Sequence, residues 1–285
     1  MPIDYAKLKS WRLPDIEHRY DVRDTILYAL GLGYGSDPLD EDELRFVYEE
    51  NIRVLPTMAV VLGYPGFWLK NEDTGVDWKK VLHGEQGLII HKPLTAAGTV
   101  VGRTRVTNII DKGAGKGALL FSERDVIDRA SGDLLCILTS TSVLRDGGFG
   151  GPTGPAPEPH PLPQRSPDSV VDLPTLPQAA LIYRLSGDYN PLHADPAFAN
   201  AAGFARPILH GLGTFGVSGH ALLKTMCGYD PARLVSFTCR FSAPVFPGET
   251  IRTEMWRDGD IVSFRARVVE RDVIAINNGR AEVRS

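Results

Sequence analysis

The chain has 285 residues, of which 43% are apolar and 23% charged, with a formal net charge of −4. That length suits two domains of ordinary size, the composition is that of a globular protein, and the charge gives nucleic acid no electrostatic footing as a partner. No apolar run approaches the ~20 residues of a membrane helix. The stretch MPIDYAKLKSWRLPDIEHRY lacks the apolar centre of a signal peptide, and Ala-Glu-Val-Arg-Ser at 281–285 is not a peroxisomal address of the Ser-Lys-Leu kind. Cys136, Cys227 and Cys239 are odd in number and lack CxxC spacing. This argues against a disulfide framework or a zinc site and for reduced thiols, with the cytoplasm as the expected location.

In chain order, residues 23–31 (RDTILYALG) read as a short amphipathic helix, followed by the turn-rich GYGSDP at 33–38. Lys92-Pro93-Leu94 and Gly98-Thr99 then lead into strand patterns near 98–110, 115–129 and 133–145. The segment GGFGGPTGPAPEPHPLPQRSPD, at 147–168, is dominated by Pro and Gly and has no periodicity, as expected of a linker. Residues 177–187 (PQAALIYRLSG) repeat the short helix pattern, and GLGTFGVSGHALLKTM, from 211, predicts a longer helix. Ala243-Pro244-Val245 and Gly248-Glu249-Thr250 lead into strand patterns near 249–257, 260–270 and 273–284, with Asp258-Gly259 as a hairpin turn.

The two sides match in order, and Glu-Arg-Asp-Val-Ile occurs in both, at 123–127 and 270–274. The expected organisation is an N-terminal repeat (1–146), a linker (147–172) and a C-terminal repeat (173–285), each repeat with helices followed by an antiparallel meander. The repeats differ at one informative place. The right side reads Asp188-Tyr189-Asn190-Pro191-Leu192-His193, whereas the left side has no matching acid–imidazole pair. One active site per chain follows, with the altered N-terminal repeat lacking one.

The Asp188–His193 segment puts a carboxylate and an imidazole on one proline-stiffened turn. Asp, Asn and Pro are also plain turn formers, and the residues alone leave both readings open. Seventeen residues after His193, His210-Gly211-Leu212-Gly213 opens the long helix. Its N–H groups can hold an anion, although Gly211 and Gly213 also suit close packing. A base, an acid and an oxyanion site are what the addition or removal of water beside a thioester carbonyl requires. His210 reads as a cap or a packed residue, and His220, inside the helix, as packed or exposed. Asp111-Lys112-Gly113-Ala114-Gly115-Lys116-Gly117 lacks the order of a nucleotide-hydrolysing phosphate loop. Its lysines would suit CoA phosphates, and a plain hairpin loop fits equally well.

The run Tyr183-Arg184-Leu185-Ser186-Gly187-Asp188-Tyr189-Asn190-Pro191-Leu192-His193-Ala194-Asp195-Pro196, with Pro207-Ile208-Leu209-His210-Gly211-Leu212, resembles the hydratase 2 (MaoC-like) family of enoyl-CoA hydratases. His83-Gly84-Glu85-Gln86, the Asp111–Gly115 segment and Phe241-Ser242-Ala243-Pro244-Val245-Phe246-Pro247-Gly248 resemble further segments of its two-repeat members. The resemblance implies an α+β double hot-dog fold, each repeat wrapping an antiparallel sheet round a central helix. It also implies reversible hydration of trans-2-enoyl-CoA to (3R)-3-hydroxyacyl-CoA. It casts Asp188 and His193 as the catalytic pair, Asn190 as the residue that holds them, and Gly211 as the glycine near the thioester oxygen. His83, Gly84, Lys112 and Phe241 correspond to positions contacting CoA or lining its path, and Tyr189, Pro191 and Leu192 flank the pair as substrate-binding candidates. An acyl-CoA thioester is the expected partner, with neither metal nor redox cofactor, no membrane, and a homodimer as the assembly. The altered N-terminal repeat is expected to make room for a medium-to-long acyl chain. The rival readings are a dehydratase of carrier-protein-bound intermediates and, more distantly, a hot-dog thioesterase or a non-catalytic acyl-CoA binder.

Overall fold

The computed structural model describes residues 3–113, 115–145, 147–151 and 155–284. Ala114 of the lysine-glycine segment, 152–154 of the linker and Ser285 lie outside the described residues. Ten strands are described: β1 (Ile16–Tyr20), β2 (Val81–Ile90), β3 (Gly98–Asp111), β4 (Ala118–Asp128), β5 (Leu134–Leu144), β6 (Ser169–Pro174), β7 (Leu234–Phe241), β8 (Thr250–Asp258), β9 (Ile261–Val268) and β10 (Val273–Val283). The helices are α1 (Tyr5–Lys9), α2 (Val22–Gly31), α3 (Glu41–Leu44), α4 (Ala179–Tyr183), α5 (Pro196–Ala201) and α6 (Gly211–Met226). No helix among the described residues is long and apolar enough to cross a membrane.

All ten strands join one antiparallel sheet in the order β1-β3-β4-β5-β2-β7-β10-β9-β8-β6. The order is a mirror: each half runs edge strand, three-strand meander and inner strand, and the halves meet where β2 pairs with β7, Leu88 opposite Phe237. This sheet, curled over α6, is the expected double hot-dog. The sheet is built from alternation. In β9, Val262, Phe264, Ala266 and Val268 point into the core and are fully buried. α2 is fixed at its start by a capping box between Asp21 and Asp24.

Three expectations need correction. The tail of the assigned linker is structured: Ser169–Pro174 is the edge strand β6, paired with β8 through Val171–Thr253 and Leu173–Ile251. Proline density upstream masked its short alternation. The two Glu-Arg-Asp-Val-Ile copies are not equivalent, since the first lies within β4 while the second spans the turn from β9 into β10. Nor do both repeats carry a long central helix. Between α3 and β2 the described residues of the N-terminal half hold no α-helix but four short 3-10 turns, of which Pro56–Val61 is buried along its first five residues. Two β-branched valines at its end weakly disfavour longer helix growth, and Gly63, left-handed at φ 59°, ends the segment.

α6 therefore serves both halves, and its small residues allow it. A Cβ at Gly216 would lie 2.6 Å from the Leu32 side chain, and one at Gly219 would lie 2.7 Å from Thr57 Cγ2. Leu32 and Thr57 belong to the N-terminal half, so these glycines admit it onto the helix. Further along α6, Glu43 of α3 accepts from Tyr229 Oη at 3.0 Å and Gly35 N at 3.0 Å, and lies 3.2 Å from His220 Nε2. Tyr34 stacks on His220 with ring centroids 3.6 Å apart. His220 is thus packed in a polar knot between the halves.

Burial by itself would raise the Glu43 carboxyl. The hydrogen bond and charge of His220, aided by Tyr229 and Gly35, outweigh it and hold the group at about 2, below an ordinary 4.5. Its stabilising contribution is fully present above pH 4.5 and fades as pH falls toward 2. Glu43→Ala is expected to cost about 3 kcal/mol in urea unfolding at neutral pH and to flatten the acid limb of the stability profile. The exposed Glu49→Ala serves as the control, with less than about 0.5 kcal/mol lost.

Candidate active site

The Asp188–His193 turn is held by its own side chains. Gly187 enters it at φ 115°, a left-handed conformation suited to glycine. Asp188 Oδ1 accepts from Asn190 N at 3.2 Å, and Asn190 Oδ1 accepts from Leu192 N at 3.1 Å. Asn190 thereby caps a 3-10 turn, Pro191–His193, in which proline takes the first position. Each functional side chain is oriented by a neighbour's backbone, which is how six residues can form a rigid site.

His193 is 8% exposed, and its Nδ1 lies 2.8 Å from Ile208 O. A carbonyl only accepts, so Nδ1 carries the hydrogen and Nε2 keeps its lone pair. Burial lowers the imidazole from its ordinary 6.5. His210 lies against it, centroids 3.7 Å apart and planes 27° apart. Its Nε2 lies 3.1 Å from Asp188 O and donates there. Burial first, and then the neighbouring His193, push His210 down to about 4. The functional atoms of Asp188, His193 and His210 lie within 4.8 Å of one another. That spacing allows proton transfer among the three, and it is also that of three ligands to one metal ion.

Gly211 opens α6 beside this trio. Gly213 N and Thr214 N donate to His210 O, while Gly211 N and Leu212 N have no acceptor among the described residues. A Cβ at Gly211 would meet the Phe241 ring at 3.4 Å, an ordinary contact. Packing alone does not demand glycine there.

The N-terminal half reaches the same place through β2. The His83 ring lies 4.8 Å from Phe241, and its Nε2 is 3.0 Å from Glu85 O and 3.1 Å from Ser140 Oγ. Burial pushes it down to about 4, opposed by the Glu85 carbonyl and the charge of Asp188. Gly84 makes the bulge that turns His83 inward: the β2–β5 register shifts there, and a Cβ would lie 2.9 Å from Val143 Cγ2. Lys112 is not brought to the trio. It lies exposed where β3 turns toward β4, its N–H bonded to Gly117 O at 2.9 Å, with β4 and β5 between it and β2. Three strand spacings put it about 14 Å away across the sheet. Tyr189 is 60% exposed under the Arg184 guanidinium, Pro191 is exposed and Leu192 half-buried.

Sequence reasoning missed His210, which stacks and bonds within the site and makes no side-chain cap for α6. It also missed Tyr183, buried with its ring 4.9 Å from His210, and Tyr64, which is 39% exposed and whose ring lies 5.3 Å from the Arg124 guanidinium. The available signal for Tyr183 was its place four residues before Gly187; nothing local marked Tyr64.

With this geometry in hand, the likeness to known proteins is informative. Residues 159–279 match the MaoC like domain, and residues 18–146 the MFE-2 hydratase 2 N-terminal domain. The peroxisomal enoyl-CoA hydratase 2 of Arabidopsis thaliana is 40% identical, covering 93% of this chain and 91% of that protein. The 3-hydroxyacyl-thioester dehydratase Y of Mycobacterium tuberculosis is 44% identical over 88% of this chain and 87% of its own. Among solved structures, a MaoC-like dehydratase from Phytophthora capsici superimposes with a TM-score of 0.85 at 36% identity, covering 98% of both chains. The chain belongs to the MaoC-like hydratase 2 family.

Proposed function

We propose that the protein is an (R)-specific enoyl-CoA hydratase, adding water reversibly and syn across trans-2-enoyl-CoA to give (3R)-3-hydroxyacyl-CoA. The observation that carries this reading is the meeting of Asp188, the Nε2 lone pair of His193 and the free N–H groups of Gly211 and Leu212 at one helix end. Relatives named for hydration and for dehydration of acyl thioesters agree with a reversible reaction.

Water placed between the Asp188 carboxylate and His193 Nε2 donates one hydrogen to each. As its oxygen bonds to C3, the pair takes the proton lost from water, with Asp188 as the base favoured here, and the π electrons move onto the thioester oxygen. The Gly211 and Leu212 N–H groups receive that charge at the positive end of α6. C2 then takes a proton from the same pair on the same face, closing a syn addition with no net gain or loss of protons. The thioester is the electron sink, so this scheme calls for no metal or redox cofactor. The buried thiols Cys136, Cys227 and Cys239 agree with a reducing compartment, and a cytoplasmic homodimer is the assembly we carry with this reading. The short Pro56–Val61 turn, in place of a second long helix, favours a medium-to-long acyl chain lodged in the N-terminal half.

Asp188→Asn and His193→Ala are each expected to lower kcat by 10²–10⁴-fold or more with the fold intact, followed by loss of enoyl absorbance on crotonyl-CoA and a longer enoyl-CoA. Either variant keeping a tenth of wild-type turnover would falsify the assignment, and release of free thiol in place of hydration would indicate a thioesterase. Because burial lowers His193 from 6.5, the acid limb of kcat/KM is expected below that pH.

Lys112→Ala should raise KM for CoA thioesters about fivefold, the worth of ~1 kcal/mol for one exposed charge contact, and leave kcat nearly unchanged. His83→Ala should weaken binding but preserve the single-turnover rate at saturation. A rate loss as large as that of His193→Ala would mean that the N-terminal half takes part in the chemistry.

A further inference from the structure

One residue on β4 breaks the character of its face. Ala118, Leu120, Ser122, Arg124 and Val126 alternate toward the interior, and Ala118, Leu120 and Val126 are core residues at 1% exposure or less. Arg124, among them, is 8% exposed. A guanidinium offers five N–H donors and no acceptor. Its Nη2 donates to Val60 O at 2.6 Å, and the group lies 5.3 Å from the Tyr64 ring centroid. Its Nε has no hydrogen-bond partner, and no carboxylate among the described residues pairs with it. Thr104, opposite it on β3, also has its hydroxyl unpartnered. Burial draws the group down to about 10, which still leaves it charged at neutral pH. A buried cation without a counter-ion is costly to keep, and its donors are suited to an anion that arrives with a ligand.

The register says which part of a substrate would reach it. Leu120 of β4 lies opposite Ser142 of β5, and Ser142 lies opposite His83 of β2. Arg124 lies four residues beyond that level, about 13 Å further along the strands. The Lys112 turn lies on the other side, ahead of Ala118. Along the sheet the order is therefore Lys112, His83, Arg124. Ser140, whose Oγ is 3.1 Å from His83 Nε2, lies opposite Ser122, which shares the inward face with Arg124. A polar stripe thus runs from the candidate active site into the N-terminal half, away from the lysines. Tyr183, whose ring lies 4.9 Å from His210, and Tyr64, whose ring lies 5.3 Å from the Arg124 guanidinium, are near both the Asp188 and the Arg124 charge.

We propose that Arg124 binds a carboxylate at the far end of the acyl chain, so that the preferred substrates are ω-carboxylated 2-enoyl thioesters of medium length. The proposal rests on the hydratase reading above and deepens it. A carboxylate is favoured over a neutral oxygen because it both neutralises the charge and matches the fork with two parallel hydrogen bonds.

The test measures kcat/KM for paired trans-2-enoyl-CoA substrates of equal length, with methyl, hydroxyl or carboxylate ends, over a series of lengths. Wild type should favour the carboxylate at one length, and Arg124→Met should reduce the carboxylate-to-methyl ratio there by roughly 10–100-fold, the value of a charge-assisted hydrogen bond. Arg124→Lys, which keeps charge without the fork, should restore part of the ratio. Thermal melting checks folding, and the wild-type length series stands on its own should the methionine variant not fold. Hydration of the methyl series with no carboxylate preference at any length overturns the assignment of Arg124 and leaves the hydratase reading intact. A hydroxyl preference, or equal loss on both ends in Arg124→Met, overturns it in favour of a neutral ligand or of simple support for Val60. Failure of wild type to hydrate any of these thioesters removes the hydratase reading itself, and this proposal with it.

Discussion

One long helix must fill the interior of two curled half-sheets. α6 meets this demand by being buried along nearly its whole length and by presenting glycine where the N-terminal half has to come close. The rest follows from it. Because the N-terminal half approaches α6 through a short turn and loops, the helix can begin at the seam between the halves instead of inside one of them. Its N-terminus, with unsatisfied N–H groups, then opens beside residues from both sides: Asp188 and His193 from one, His83 from the other. A site at a seam can bind with one half and react with the other.

The site is built to hold imidazoles neutral. His83, His193 and His210 all lie in or against it, and burial lowers each. Neutral rings keep lone pairs for accepting protons, and they spare the site the repulsion of an imidazolium against the positive end of α6. Elsewhere the chain treats a buried titratable group in the opposite manner. Glu43 is surrounded by donors and kept ionised, as a structural tie needs. Burial thus leaves groups neutral in one place and accompanies a fixed charge in another, and the difference lies in how many donors face the group.

Much of this was legible in the sequence. The meander strands and α6 announce themselves by period, and the Asp188–His193 turn by the scarcity of acid, amide and imidazole at that spacing. What was not legible has physical causes. β2 and β7 lie in the sheet's middle, and the bulge at Gly84 breaks the alternation that would have marked β2. β1 and β6 are five- and six-residue edge strands, too short for a period to stand out. His210 is brought to His193 by the return of the chain over seventeen residues, which no local rule records. Arg124 stands in Glu-Arg-Asp, and three successive charges read as a solvated strand. Only pairing with Thr104 and Leu138 shows that the middle one faces inward.

The mirror order of the sheet has a consequence for how such a chain can change. Two identical half-size subunits could form the same ten strands by pairing β2-type edges. In that arrangement every substitution would appear twice, once on each side of the seam, and any residue lost from one active site would be lost from both. Joining the halves by the stretch before β6 removes that coupling. One half could then give up its long helix and acid–base pair and accept a buried arginine, while the other kept its machinery untouched. Covalent fusion, in this view, matters less for stability than for licensing asymmetry: it makes half of a symmetric body available for selection on which substrate enters, independently of selection on how fast it reacts.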